Sequence, residues 1–190
     1  MGNRGGAIHD ERREIVRPYK SRQWIACVLE FKGRHREVMS PRRYTELFFL
    51  DEAVALAAGH RPCAECRRRW FNEFRAAWQR ARGGELPRAG EMDAELHAAR
   101  IDRGGAKVTW RARLGSLPDG CFAEIEGAAY LIWRGALWVW SAGGYARGGR
   151  RPAELEVPVL TPRPTVECLQ VGYVPEVHVS AGQAKACLTL

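Results

Sequence analysis

The chain has no long apolar run and very little lysine. No stretch approaches the roughly 20 consecutive apolar residues of a membrane-spanning helix, and the opening residues Met-Gly-Asn-Arg-Gly-Gly contain no hydrophobic signal core. These absences argue against a membrane protein, and we expect a protein of the bacterial cytoplasm. Because 46% of the residues are hydrophobic, the composition also argues against wholesale disorder.

Several catalytic signatures are missing as well. The sequence contains no Gly-x-x-x-x-Gly-Lys phosphate loop, no Gly-x-Ser-x-Gly nucleophile turn, no paired-carboxylate signature and no internal repeat. The motifs therefore do not indicate a P-loop NTPase or an α/β-hydrolase. They leave open whether the protein is an enzyme.

Charge is distributed unevenly along the chain. Residues 1–82 hold 18 Lys or Arg against 10 Asp or Glu, whereas residues 83–190 hold 12 of each. Arginine outnumbers lysine 26 to 4, a bias that a GC-rich genome explains, but such a bias does not explain the imbalance between the halves. The excess of positive charge predicts a polyanionic partner, with nucleic acid as the first candidate.

A short helix followed by a Cys-x-x-Cys turn is the most informative local pattern. Asp51 is a suitable N-cap, residues 53–58 favour a helix, and Gly59 predicts its end. Cys63 and Cys66 follow on a tight turn, where two thiols three residues apart can bind one tetrahedral metal ion. The other cysteines of the second half are isolated, and we expect no chemistry from them.

The residues Glu52-Ala53, Ala57-Ala58-Gly59, Arg61-Pro62-Cys63 and Cys66 carry a resemblance to a known module. With Phe48-Phe49 before them, they resemble the metal-binding module of Ada-type DNA repair proteins, over about residues 44–69. In that family the segment supplies half of a four-cysteine zinc site, so the resemblance implies Zn²⁺ and DNA. The family's methyl-accepting cysteine has no match here, so phosphotriester repair is not implied.

The family's first ligand pair is not matched, because Lys32 and Arg36 align with it. The upstream candidates for the missing ligands are Cys27 and His35. His60 is a further candidate, since it would form a His-x-x-Cys-x-x-Cys cluster.

The same cysteines allow a second interpretation. Residues 62–66, Pro-Cys-Ala-Glu-Cys, match half of the zinc deaminase signature, and His9-Asp10-Glu11 matches the letters of the other half. In deaminases, however, the His-x-Glu follows two strands and begins a helix, whereas here it lies near the start of the chain. A nuclease that uses His9, His35 or His60 as base or ligand is a related alternative.

The element pattern predicts an α+β fold: an N-terminal β-hairpin and helices around the Cys-x-x-Cys turn, then a small antiparallel meander or barrel. The predicted hairpin has strands at 23–31 and 34–39, and the predicted long amphipathic helix covers 67–82. In the second half, turn signals separate strand-like runs at 108–114, 121–125, 129–133 and 137–140, and 143–151 is predicted as a basic loop. The predicted division is a basic zinc region at 1–82, a linker at 83–93 and a strand-rich region at 94–190, with packing as one domain as the alternative.

These observations favour a zinc-containing, nucleic-acid-binding protein, with DNA as the first choice. The alternatives are a zinc-dependent enzyme acting on nucleic acid or nucleobases, and a structural protein without metal. The candidate phosphate contacts are arginines in and around the predicted hairpin and the Cys-x-x-Cys turn: Arg34, Arg36, Arg42, Arg43, Arg61, Arg67 and Arg68.

Overall fold

The protein, a computed structural model, is described over residues 1–33 and 37–182, and the predicted α+β fold is confirmed. The described residues form four α-helices: α1 Glu52–Ala57, α2 Arg68–Arg82, α3 Ala89–Arg100 and α4 Arg163–Gln170. The strands are β1 Gly2–Asn3, β2 Ile25–Ala26, β3 Arg61–Pro62, β4 Trp110–Arg113, β5 Phe122–Ile125, β6 Ala128–Trp133, β7 Ala136–Ser141, β8 Gly144–Arg150 and β9 Glu156–Val159.

The strands form two sheets of very different size. A small sheet has the order β1-β2-β3, with β2 antiparallel to β1 and parallel to β3. The large sheet has the order β4-β9-β5-β6-β7-β8, and all its neighbours are antiparallel. Strands β5, β6 and β7 form a meander as predicted, whereas β4, the first of the predicted strands, pairs with β9 at the edge of the sheet.

The predicted N-terminal hairpin takes another form. Strand β2 pairs with β1 and β3, and residues 37–39 form no strand, whereas residues 34–36 lie outside the described part. The predicted turn at Lys32-Gly33 is present. The antiparallel partner of β2 is therefore β1, at the start of the chain.

The predicted loop at 143–151 is wrong, because Gly144–Arg150 is β8 and pairs along the whole of β7. The register shifts at Leu137 and Trp138, where the extra residue opposite them is Gly148. A Cβ on Gly148 would lie 2.7 Å from a ring carbon of Tyr130, so a glycine permits this close approach.

The main apolar core lies between α2, α3, α4 and the large sheet. Phe74, Met92, Leu114 and Ile132 are fully buried in it, and Leu56 of α1 joins the same cluster. The amphipathic stripe predicted for α2 is thereby confirmed as core, since Phe71, Phe74, Ala77 and Trp78 are its buried residues. The core draws on both predicted regions, and the division at 83–93 stays a prediction.

No helix of the described segments combines the length and the apolar character that crossing a bilayer requires.

Candidate metal centre

The parallel pairing of β2 with β3 brings two cysteines together. Ala26 is in register with Pro62, and the backbone N–H of Cys63 donates to the carbonyl of Ala26 at 2.9 Å. Cys27 and Cys63 are the next residues on these strands, so they leave the sheet at the same end.

Cys66 joins them because the chain turns sharply before α2. The Sγ atoms of Cys27, Cys63 and Cys66 all lie within 4.8 Å of one another, and none forms a disulfide. Thiolates bound to zinc at about 2.3 Å in tetrahedral geometry lie about 3.8 Å apart. A shift of about 1 Å or less is thus enough for the three sulfurs to bind one metal ion.

The three thiols have unequal acidity. Hydrogen bonding from the Cys27 thiol, supported by the N–H groups of Cys66 and Glu65, lowers the pKa of Cys63 to about 5. The same contact with Cys63, with burial, raises the pKa of Cys27, and burial raises the pKa of Cys66. Cys63 is therefore the most acidic thiol of the group, and a metal ion bound by all three would displace their remaining protons.

A cleft of about 450 Å³ opens beside the thiols. Its lining includes the carboxylates Glu46 and Glu65, with Tyr44 and Asn3. One carboxylate oxygen of Glu46 accepts the N–H of Met39 at 2.8 Å. A metal ion held by three cysteines would thus have its fourth position next to a space large enough for a small molecule.

His60 is not in the thiol group. It is fully buried between the rings of Trp24 and Phe49, with centroids 5.3 and 4.8 Å away, and neither ring nitrogen has a hydrogen-bond partner of normal geometry. Burial, with the charges of Arg4 and Arg100, lowers its pKa well below the usual value. His60 is therefore a neutral residue of an aromatic cluster.

The other predicted histidines lie elsewhere. His9 is buried, and its Nδ1 is 2.6 Å from the hydroxyl of Thr45, outside the thiol group. The structure thus leaves His9-Asp10-Glu11 apart from the cysteines, whereas the deaminase signature needs both halves on one metal. His35 lies outside the described residues, as do Arg34 and Arg36.

Two of the predicted phosphate contacts are buried ion pairs. Both carboxylate oxygens of Asp93 accept from Arg61 at 2.8 Å, and both side chains are almost fully buried. Arg67 lies 2.9 Å from Glu52 and from Glu176. These two arginines thus hold the protein together, and among the described members of the predicted set Arg42, Arg43 and Arg68 are exposed.

No local pattern in the sequence indicates the role of Glu52. Its carboxylate, buried at the start of α1, accepts from the hydroxyl of Tyr173 at 2.6 Å and from the N–H of Glu176 at 3.0 Å. Burial raises the pKa of Glu52, against the charge of Arg67. This cluster ties the residues after α4 to the helix that precedes the thiols, and only the long-range packing reveals it.

Comparison of the chain with protein-family models, curated proteins and solved structures found no match. The likeness of residues 44–69 to the Ada-type module consequently stays a prediction.

Proposed function

We propose that the protein binds one Zn²⁺ through Cys27, Cys63 and Cys66, and that it is a nucleic-acid-binding protein. The convergence of the three thiols from two strands and a turn supports the metal. Three sulfur donors in a group of this size suit zinc better than Mg²⁺ or Ca²⁺, which prefer oxygen. Bound there, zinc would supply a rigid cross-link between β2 and the start of α2.

The resemblance to the Ada-type module supports the same assignment. The helix α1 ends before Gly59, whose φ is positive, at the place of the glycine in that pattern. In this proposal Cys27 alone replaces the family's upstream cysteine pair. The fourth ligand is then a further side chain facing the cleft.

The metal assignment is tested by the zinc content of tag-free protein, measured by elemental mass spectrometry. We expect one zinc per chain in the wild type and in a Cys168→Ala control, whose cysteine is equally buried but isolated in the main core. Cys63→Ser should contain almost none. A metal-free wild type, or zinc retained in Cys63→Ser, would overturn the assignment.

The exposed cations of the first half support the nucleic-acid partner. Around a depression of about 220 Å³, Arg17 and Lys20 come together with Arg42, although some 20 residues of sequence separate them. Asp10 and Glu11 line the same depression and offset part of the charge. Arg43 is exposed next to Arg42, and arginine grips phosphate with two parallel N–H groups.

This part is tested by the salt dependence of binding to a short DNA duplex. Each phosphate contact contributes about 0.9 to the slope of log K against log salt, so Arg42→Ala/Arg43→Ala should flatten the slope by about 2. Arg111→Ala/Arg113→Ala is the matched control, because it removes the same charge from exposed positions on β4. A wild type whose binding does not respond to salt would contradict the proposal.

The cleft beside the thiols favours a second candidate, a zinc-dependent hydrolytic enzyme. Zinc with three protein ligands and an open position activates a bound water, and Glu46 and Glu65 line the space where a substrate would lie. X-ray absorption separates the two candidates. Three sulfurs and one exchangeable oxygen would support the enzyme, whereas a fourth protein ligand would support a closed structural site.

A further inference from the structure

A second cavity, of about 290 Å³, lies between the N-terminal segment and the large sheet. Arg4 and Trp24 line it from one side, Arg100 and Lys107 come from the end of α3 and the following turn, and Trp140 comes from β7. It shares no lining residue with the thiol cleft. The two sites are therefore separate.

Three positively charged side chains line this cavity, and no acidic side chain among the described lining residues balances them. They belong to Arg4, Arg100 and Lys107. Asp93 acts on Arg100 through its charge, but both of its carboxylate oxygens are bound by Arg61 at 2.8 Å. Three cations in a largely apolar enclosure repel one another, and an anion bound among them would offset that repulsion.

The cations are held in place by backbone carbonyls and by an aromatic ring. Arg100 donates to the carbonyls of Gly59 at 2.7 Å and Arg22 at 2.6 Å, and Lys107 donates to that of Ala57 at 2.7 Å. A Cβ on Gly59 would lie 2.5 Å from Arg100 Cδ, so only glycine lets Arg100 cross the end of α1. The donors are thus preorganised before any ligand arrives.

Both guanidinium groups also retain an unused donor. The guanidinium carbons of Arg4 and Arg100 each lie 4.1 Å from the centroid of the Trp24 ring. Their Nε–H groups are buried and have no acceptor in the protein. A buried donor without an acceptor is unfavourable, so an anion placed against these guanidinium groups would be stabilised.

The electrostatics of the cavity agree with its geometry. Burial, with the charges of Arg4 and Arg61, lowers the pKa of Arg100 to about 9, although Asp93 opposes this. Burial of its amino group, which donates to the carbonyl of Ala57, together with the charge of Arg4, lowers the pKa of Lys107 to about 8. The protein therefore maintains these charges at a cost that a bound anion would reduce.

The rest of the lining is flat and apolar. Phe122 and Trp24 are buried in the wall, and Trp140 lies at the rim with 37% of its surface exposed. A partly exposed tryptophan offers a stacking surface for a planar ring. The volume lies at the lower end of the range for small-molecule sites, which suits one nucleotide rather than a folded polymer.

We propose that this cavity binds a nucleoside monophosphate, with the phosphate among Arg4, Arg100 and Lys107 and the base against Trp140. The phosphate accepts from the guanidinium and ammonium groups of these three lining residues. The same chemistry is offered by a free mononucleotide and by the 5′-phosphorylated end of a nucleic-acid strand. The site is independent of the metal centre and of the exposed arginines proposed to contact nucleic acid.

The test is calorimetric titration of the purified protein at low salt with AMP, adenosine and inorganic phosphate. We expect one AMP per chain, with adenosine and phosphate each binding at least tenfold more weakly. Phosphate as tight as AMP would overturn the nucleotide assignment, and so would adenosine as tight as AMP. A 5′-phosphorylated dinucleotide that binds more tightly than AMP would assign the site to strand ends, and weaker binding would assign it to free nucleotides.

Two variants locate the site. Lys107→Met should weaken AMP binding at least tenfold, whereas Arg103→Met, an exposed cation in the same turn, should leave it unchanged. Trp140→Ala, at the rim, should weaken AMP but not phosphate. Equal AMP affinity in Lys107→Met and Arg103→Met would overturn the location, and so would a Trp140→Ala variant that binds AMP normally, since the rim position lets that variant fold.

Discussion

In the large sheet the strands are four to seven residues long, whereas each of the three strands in the small sheet has two residues. The large sheet packs apolar side chains against all four described helices. Around the small sheet, by contrast, the buried groups include His60, Arg61, Glu52 and Arg67. Apolar burial stabilises the first sheet, and specific polar contacts hold the second.

This difference indicates which part of the fold a bound metal ion would stabilise. Strands of two residues supply few ladder hydrogen bonds, and a region that buries charge gains little net stability from doing so. A cross-link at the end of β2 and β3 would supply what the small sheet lacks. The large sheet has no such need, so the two sheets should respond differently to the same perturbations.

Metal removal should have the largest effect, and it should act on the small sheet alone. At free zinc 1,000 times above the dissociation constant, binding contributes about 4 kcal/mol that a chelator removes. Hydrogen exchange should therefore accelerate at the amides of Cys27 and Cys63, which donate to the carbonyls of Met1 and Ala26. Equal acceleration in β6 and β7 would contradict the separation.

Breaking the buried ion pair of Arg61 and Asp93 should have the second-largest effect. Asp93→Asn removes the charge that neutralises Arg61 and should lower the free energy of unfolding by about 3–5 kcal/mol, measured by urea denaturation. The double variant Arg61→Met/Asp93→Leu should recover much of this loss, because neither charge then remains buried. A double variant no more stable than Asp93→Asn would show that the pair's hydrogen bonds, not its charges, dominate.

Truncating a core side chain of the large sheet should lower the free energy of unfolding slightly less, and this loss should not depend on the metal. Ile132 in β6 is fully buried, so Ile132→Ala should destabilise by about 2–5 kcal/mol. The loss should be the same with and without chelator. Ile15→Ala, at a position 54% exposed, is the matched control and should change stability very little.

An exposed ion pair on the large sheet should have the smallest effect. Arg113 lies 3.2 Å from Glu154, but both side chains are more than 60% exposed. Arg113→Ala should therefore change the unfolding free energy by about 0–1 kcal/mol. High salt should reduce the difference between the variant and the wild type further. A loss comparable to that of Asp93→Asn would remove the contrast between buried and exposed pairs.

Local signals in the sequence predicted much of this fold. Asp51 and Gly59 marked α1, and the glycine turns marked β5, β6 and β7, because each signal acts within a few residues. Strand β8 was missed because its glycine-rich residues carry no strand pattern, and its pairing with β7 decides its conformation.

The candidate site was predictable in part. The Cys63 and Cys66 spacing indicated a metal, and Cys27 was among the alternatives for a further ligand. Choosing between Cys27 and His60 required the parallel register of β2 and β3, which two-residue strands do not reveal through periodicity. The cavity of Arg4, Arg100 and Lys107 depends on contacts across about 100 residues, and no local pattern records them.

The hydrogen bonds of Asp51 and Glu52 have a consequence for the order of events on the ribosome. Their partners include the N–H of His178 and the hydroxyl of Tyr173, which follow them by 127 and 121 residues. At about 5–20 residues per second, the nascent chain carries both carboxylates for roughly 6–25 s before these partners are synthesised. All three thiols are complete long before that, so metal capture can precede the step in which the segment after α4 closes over the start of α1.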